Sequence, residues 1–466
     1  MLATCCLSLL MVSMDATIVN VALPDIRRDL QASLSGLQWV IDAYTIVLAS
    51  FLMLGGATAD RHGRRRVFRI GIILFALGSL LCSLAPSVGW LVGARVLQAA
   101  GGSMMNPVAM SIIVHAFDDP AARARAIGIW GAVAGAALGI GPLLGGVLTQ
   151  ALGWHAIFWI NLPICALALW LTVRYIPESR APHPRRPDPV GQALLLIGLA
   201  ALVFAVIERG RGASVAGGAG VLALLAFAGL VAYERGRREP LLDLRFFRSV
   251  PFSAATLIAV CMFAAFGGFL FLNTLYLQDV RGLSPFHAGL FILPVALAVM
   301  IVSPLSGRLV GAYGARPSLL VSGGALAVSA LLLTQLEAQT PLAILLPVFA
   351  LFGVGFGMVN APVTFAAVSG MPRAQAGVAS AVASTSRQVG VSVGVAFAGA
   401  LAGGAASIQA TSGWTDFPQA THAFWWILVG AGALVFVLGF LSTGAWAKAS
   451  TQRIAHLLEE THGGLR

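Results

Sequence analysis

Apolar stretches of about 20 residues recur along this chain from end to end, each long enough to carry a helix across a hydrocarbon core roughly 30 Å thick at 1.5 Å per residue. Fourteen can be placed, near 2–24, 36–58, 67–86, 88–114, 126–150, 156–176, 190–207, 215–233, 252–277, 286–307, 317–336, 342–368, 377–404 and 423–446. With 58% hydrophobic and 10% charged residues, the chain has more apolar surface than one soluble core could hide. It therefore reads as an all-α, polytopic membrane protein whose main surroundings are lipid. The opening MLATCCLSLL lacks a basic n-region and runs on without interruption to Pro24, so it is expected to be a first, uncleaved span.

Only Lys448 among the 29 basic residues is a lysine. Placing Arg27, Arg28, Arg209, Arg211 and Arg281 on one side, and Arg95 and Arg387 inside the membrane, leaves the other basic residues together on the opposite side. The positive-inside rule makes that side cytoplasmic and puts both termini there. This asymmetry accounts for the net charge of +11 without nucleic acid as a partner. The preference for Arg, with many Ala and Gly, points to a bacterium with GC-rich DNA and hence to its inner membrane. All five cysteines (Cys5, Cys6, Cys82, Cys165, Cys261) fall in apolar segments without paired spacing, so neither a disulfide framework nor a zinc site is indicated. No phosphate-cradling loop or His/Glu cluster is present, which argues against an ATP-driven pump, a metalloenzyme or any cofactor.

Two polar stretches divide the spans, the Pro- and Arg-rich 177–189 and the basic 234–248. They suggest residues 1–176 with six spans, 177–250 with a linker and two extra spans, 251–447 with six more, and a cytoplasmic tail, 448–466. In that tail Ile454, Leu457 and Leu458 would share one face of a short amphipathic helix. An internal repeat supports the division. Gly56, Asp60, Gly63 and Arg65 follow the second span at the same offsets at which Gly307, Gly311, Gly314 and Arg316 follow the tenth. Repeated halves around a midplane site are a common plan of secondary transporters.

Within the spans, ionisable residues are costly and mark pathways or pairs. Asp15 lies thirteen residues into the first apolar run, and helical rise places Asp15, Arg95 and Asp42 at similar depth, roughly 10–14 Å below one surface. A carboxylate moved between the neighbourhood of an Arg and a desolvated setting would bind and release a proton. The plainer alternative is a permanent Asp15–Arg95 ion pair that only joins helices. Asp42 either stays wet near the headgroups or selects cationic ligands. Arg387 has no acidic residue at its depth and serves either structure or substrate. Asn20, Asn106 and Asn273 are secondary ligand candidates, and Phe263, Phe266, Phe269, Phe271 and Met262 are expected either to pack or to line a cavity.

Gly56 and Gly63 allow a tight turn around Asp60, Arg61, Arg64 and Arg65, a charge cluster that either orients the chain or latches two bundles together in one state. In the fifth span, Gly and Ala at four-residue spacing give a flat packing face, which Pro142 bends.

These segments carry a resemblance. GGATADRHGRRR (55–66) resembles the signature loop of the major facilitator superfamily, LVGARVLQAAGG (91–102) its fourth-span motif, and GPLLGG (141–146) the fifth-span antiporter motif. MDATIVNVALP (14–24) is similar to the first-span motif of the fourteen-span drug:proton antiporters, with further likeness at LQWVIDAY (37–44), WHAIFWINLP (154–163) and YLQDVRGLSPFHAGLFILP (276–294). Ala99, Ala137 and His155 depart from those patterns. The resemblance implies two six-helix bundles with two extra helices, acting as a monomer. It implies proton-driven export of small hydrophobic or cationic compounds by alternating access. In that scheme Asp15 and Arg95 couple protons, Asp42 selects cations, the loop at Asp60 latches the outward-facing state, and Gly141, Pro142, Gly145 and Gly146 seal the centre. A dedicated exporter of one metabolite and a non-transporting sensor or scaffold are the alternatives.

Overall fold

The computed structural model describes residues 1–116, 119–180, 188–237, 240, 243–369, 376–406, 417–444, 446–447, 449–451 and 453. The expected tail helix at Ile454, Leu457 and Leu458, and most of the linker at 181–187, lie outside them. All regular structure among the described residues is helical.

The first part of the chain forms α1 (Leu2–Asp29), α2 (Leu34–His62), α3 (Arg64–Ser83), α4 (Val88–Ala116), α5 (Pro120–Leu152) and a broken pair, α6 (Ala156–Trp159) and α7 (Asn161–Tyr175). Then come α8 (Pro189–Ile207) and α9 (Ala213–Arg235), followed by α10 (Val250–Leu275), α11 (Pro285–Tyr313), α12 (Ala315–Leu333), α13 (Leu342–Val368), α14 (Ala376–Ala406) and α15 (Phe417–Leu441). Local chemistry sets several starts. The side chains of Ser33, Asp119, Asp188 and Ser284 accept hydrogen bonds from the first turns of α2, α5, α8 and α11, and Pro opens α5, α8 and α11. Gly63 and Gly314 precede α3 and α12 with φ of 109° and 78°, so the two halves of the sequence repeat turn in the same left-handed way.

Twelve helical spans among the described residues are long and apolar enough to cross a membrane. The fourteen stretches expected from sequence include two, 88–114 and 377–404, that form helices of 29 and 31 residues, α4 and α14, outside that set. Both carry polar groups of the interior, Arg95 and Gln98 on α4 and Arg387 on α14.

α3 packs on α4, α2 on α4 and α1 on α5; in the later part α10 packs on α14, α11 on α13 and α12 on α15. The two groups meet through α5 with α11, α2 with α14, and α1 with α10, while α8 leans on α2 and α14 and α9 leans on α8. Glycine sets how near the backbones come. A Cβ on Gly78 would sit 2.5 Å from the backbone nitrogen of Gln98, and one on Gly101 2.4 Å from that of Phe75, so α3 and α4 touch backbone to backbone.

The same device joins α5 to both groups. Gly141 and Gly145 lie against Thr17 and Ile18 of α1, while Gly146, Pro142 and Gly139 lie against Pro285, Gly289 and Ala296 of α11. Beyond Gly139 the helices part, and a side chain added at Gly135, Gly307 or Gly311 would meet nothing within 4 Å. At the Arg27 end the halves are tied: Gln278 Nε2 donates to the Val21 carbonyl at 2.7 Å, Arg27 lies 3.7 Å from Asp279, and Gln38 Nε2 donates to the carbonyls of Val395 and Ala396. The interior is thus closed at the Arg27 end and parted between α5 and α11 toward the end bearing Asp60.

Candidate functional site

Asp15, on α1, is fully buried. One face of α4 supplies two of its partners, because residues three apart lie on one side of a helix. Arg95 Nη1 donates to Asp15 Oδ2 and, at 2.7 Å, to Gln98 Oε1. Gln98 Nε2 donates in turn to Asp15 Oδ1 at 2.8 Å and to Ser79 Oγ, on α3, at 3.0 Å. The helix break at Ile160 brings in the third partner. Asn161 Nδ2 donates to Asp15 Oδ1 at 3.1 Å and to Ser79 Oγ at 2.9 Å, and the Ser79 hydroxyl donates to the Phe158 carbonyl at 3.2 Å.

From α2, the Val40 carbonyl accepts from Arg95 Nε at 3.2 Å, and the Tyr44 ring lies 4.0 Å from the guanidinium carbon. Tyr44 is held by donating its hydroxyl to the Val12 carbonyl at 3.4 Å. Five elements, α1, α2, α3, α4 and α7, thus converge on one carboxylate.

Every contact to Asp15 in this network comes from a donor, the complement of an ionised carboxylate, which can only accept. A protonated Asp15 would need an acceptor for its own hydrogen. Asn161 Oδ1 is buried without a partner beside it. A change of protonation therefore requires these side chains to rearrange.

Depth counting groups Asp42 with Asp15 and Arg95, and here the structure differs. Asp42, fully buried on α2, faces Ser392 of α14, and neither of its oxygens accepts a hydrogen bond. Rise along a helix gives height but not direction, and α2 points Asp42 across the seam between the two groups of helices. A buried carboxylate without a partner is a group waiting for one.

Asn20, Asn106 and Asn273, on α1, α4 and α10, are also left with an unpartnered Oδ1; Asn20 and Asn273 turn their amide nitrogens back to carbonyls of their own helices. Arg387, on α14, donates to Thr364 Oγ1 at 2.6 Å. Of the phenylalanines, Phe266 stacks on Phe356 and Phe269 on Phe352, at 4.2 and 4.0 Å between ring centres, while Phe271 is buried and Met262 is enclosed in the same core. Phe263 is only half-buried, 5.8 Å from the Arg387 guanidinium.

At the loop, Asp60 Oδ1 accepts from Arg64 Nη2 at 2.9 Å, while Arg61 is exposed. The neighbours of this loop come from the end of α7 and the chain after it: Glu178 Oε1 accepts from the Arg65 backbone N–H, Ser179 O from that of Arg64, and Val173 O from the Arg65 side chain. A Cβ at Gly63 would lie 2.6 Å from the Glu178 carboxylate, so glycine is required twice over, by space and by φ. Gly56 packs beside Pro107 of α4.

Sequence reasoning did not single out Gln98, Ser79, Asn161, Tyr44, Glu178 or Ser392. Only Gln98 carried a usable signal, its i+3 spacing from Arg95. Among the described residues no group of three or more His, Cys, Asp or Glu is arranged to hold a metal ion.

The tie at the Arg27 end makes its own prediction. Gln278→Leu removes the bond to Val21 and should raise labelling of a cysteine at position 21 several-fold by a membrane-impermeant maleimide, in a background without the five native thiols. Unchanged labelling would show that the bond does not hold that end shut.

A family model described as Major Facilitator Superfamily matches residues 5–395. The chain is 40% identical over 387 residues to the multidrug resistance protein Stp of Mycobacterium tuberculosis, covering 82% of this chain and 72% of that protein. It is 37% identical to the tetracenomycin C resistance and export protein of Streptomyces glaucescens, over 82% of this chain and 71% of that one. To the methylenomycin A resistance protein of Streptomyces coelicolor it is 33% identical, over 94% and 89% of the two chains. Among solved structures, a bacterial homologue of the human lysosomal transporter Spinster superposes with a TM-score of 0.62 at 18% identity, over 99% of this chain and 97% of that one. That likeness concerns the fold alone.

Proposed function

Since the chain belongs to the Major Facilitator Superfamily, a family of membrane transporters, we propose that it exports hydrophobic, cationic or amphipathic drugs across a bacterial inner membrane in exchange for protons. The reading takes α4 and α14 as spans beside the twelve, giving two six-helix bundles, 1–176 and 251–447, with α8 and α9 as the insert in 177–250 and the protein acting as a monomer. Both termini are cytoplasmic in this scheme, so the Arg27 end is extracellular and the conformation is open to the cytoplasm.

The observation that carries the proposal is the Asp15 network: a carboxylate with no exposure, held by Arg95, Gln98 and Asn161 inside apolar helices. Protonation of Asp15 neutralises the charge that holds Arg95 and sets its hydrogen against donors, so the proton-loaded and proton-free states favour different packings of α1, α3, α4 and α7. Inward movement of one proton supplies about 2.3 kcal/mol per 100 mV.

Asp42 is the counter-charge for a cationic drug, with Asn20, Asn106 and Asn273 as further polar contacts. The loop of Asp60, Arg61, Arg64 and Arg65 is the latch. Its ties to Glu178 and Ser179 belong to the state in which it is not engaged across the bundles, and in the outward-facing state it would hold α2 to the second bundle. The names of the relatives support export of drugs. They also favour a second reading, a pump dedicated to one antibiotic, because two of the three relatives named above carry the name of a single compound. Deletion in a native host separates them: sensitivity to many unrelated compounds fits the first, and sensitivity to one fits the second.

The deciding measurement uses proteoliposomes under an imposed pH gradient. Drug flux should follow the gradient in the wild type and vanish in Asp15→Asn. Gradient-driven flux that survives in this variant would sink the mechanism.

A further inference from the structure

Arg387 has more donors than partners. Its guanidinium carries five N–H groups; Nη2 is engaged by Thr364, and Nε is buried with no acceptor. No carboxylate forms an ion pair with it among the described residues, in contrast to Arg95, whose charge is met by Asp15. The arginine stands where α10, α13 and α14 face one another, with Phe263 on one side and the exposed Thr364 on the other. Thr364 donates its own hydrogen to the Asn360 carbonyl at 2.9 Å, which leaves its oxygen oriented to receive Arg387 and fixes the fork.

Asp42, on α2, is also left without a hydrogen-bond partner, but it is fully buried and faces Ser392 of α14. Ser392 lies five residues on from Arg387 and so roughly 140° around α14. Asp42 and Arg387 thus face different sides of that helix, and Arg387 is the one that stands beside an exposed side chain, Thr364. A ligand bearing only positive charge is repelled by Arg387, and one that carries an acidic oxygen answers it.

We propose that Arg387, steadied by Thr364, is the receptor for an acidic oxygen of the substrate, and that it makes this transporter prefer compounds carrying such a group over those bearing positive charge alone. Arg suits the task because its planar fork meets a carboxylate with two parallel hydrogen bonds. The repulsion of plain cations supplies the other half of the selectivity. This rests on the drug-export reading above, and the test keeps the two apart.

The probes are rhodamine 110, a cationic xanthene with a free benzoate, and rhodamine 123, its methyl ester, titrated against the purified full-length protein by fluorescence polarisation. The wild type should prefer the acid by roughly tenfold, the scale of one charge-assisted contact pair. Arg387→Gln should bring the ratio of acid to ester affinity close to one, Arg387→Lys should recover part of it, and Thr364→Val should reduce it. Asp42→Asn should weaken both dyes and leave the ratio. If Arg387→Gln does not fold, the lysine and Thr364→Val variants carry the test alone. A wild type that binds the ester as well as the acid, or a ratio indifferent to the variants at 387 and 364, overturns the proposal while drug binding stands. Binding of neither dye counts against both.

Discussion

Arg95→Met is expected to abolish gradient-driven flux and to destabilise the protein by about 3–5 kcal/mol, the scale for removing one member of a buried charge pair. Most of that loss is not the lost attraction. It is the penalty of leaving Asp15 ionised inside the bundle with only the amides of Gln98 and Asn161 to solvate it. A double variant with Asp15→Asn removes both charges and should recover much of the stability, because a neutral amide can exchange hydrogen bonds with Gln98, Asn161 and Ser79. It should recover none of the flux. Thermal inactivation in detergent reads the first quantity and proteoliposome transport the second. A single variant as stable as the wild type would mean that Asp15 is not charged in this conformation, and transport in the double variant would mean that the pair is not the coupling group.

Gly78→Val should be nearly as damaging although it changes no charge. The added Cβ falls 2.5–2.7 Å from the backbone nitrogen, Cα and Cβ of Gln98, where nothing flexible can move aside. α4 must then shift away from α3, and overpacking of this kind costs about 1–3 kcal/mol, occasionally more. The displaced residue is the one whose amide joins Asp15 to Ser79. Loss of flux should accordingly exceed what the loss of folded protein explains. Gly89→Val, at a glycine of α4 with nothing within 4 Å, is the control and should leave both quantities near wild type. Equal effects at 78 and 89 would refute the steric argument.

Much of the architecture was legible in the sequence, because length and apolarity alone decide that a segment crosses lipid. α4 and α14 were placed in the same way although each carries interior polar groups, Arg95 and Gln98 on one and Arg387 on the other. Asp15 and Arg95 stand out because an ion in an apolar run is conspicuous, and counting residues along each helix brings them to one level. The same counting misassigned Asp42, whose azimuth on α2 turns it to α14. Ser79 and Asn161 were invisible for a different reason: a single hydroxyl or amide in a span is ordinary, and only the crossing of α3, α4 and α7 makes these two meet. Glu178 illustrates a third limit, for its role depends on a loop folding back 113 residues in the chain to Arg65.

The contact of α5 with α1 and α11 bears on how such a molecule moves. At Gly139, Gly141, Gly145 and Gly146 the surfaces in contact are main chain and small groups, so there are few rotamers to reset when one helix slides or tilts on another. A seam of this kind works as a bearing: stiff in compression, because backbones already touch, yet smooth in rotation, because nothing interlocks. Larger side chains there would turn the bearing into a ratchet, and each reversal of the pump would have to climb over its teeth.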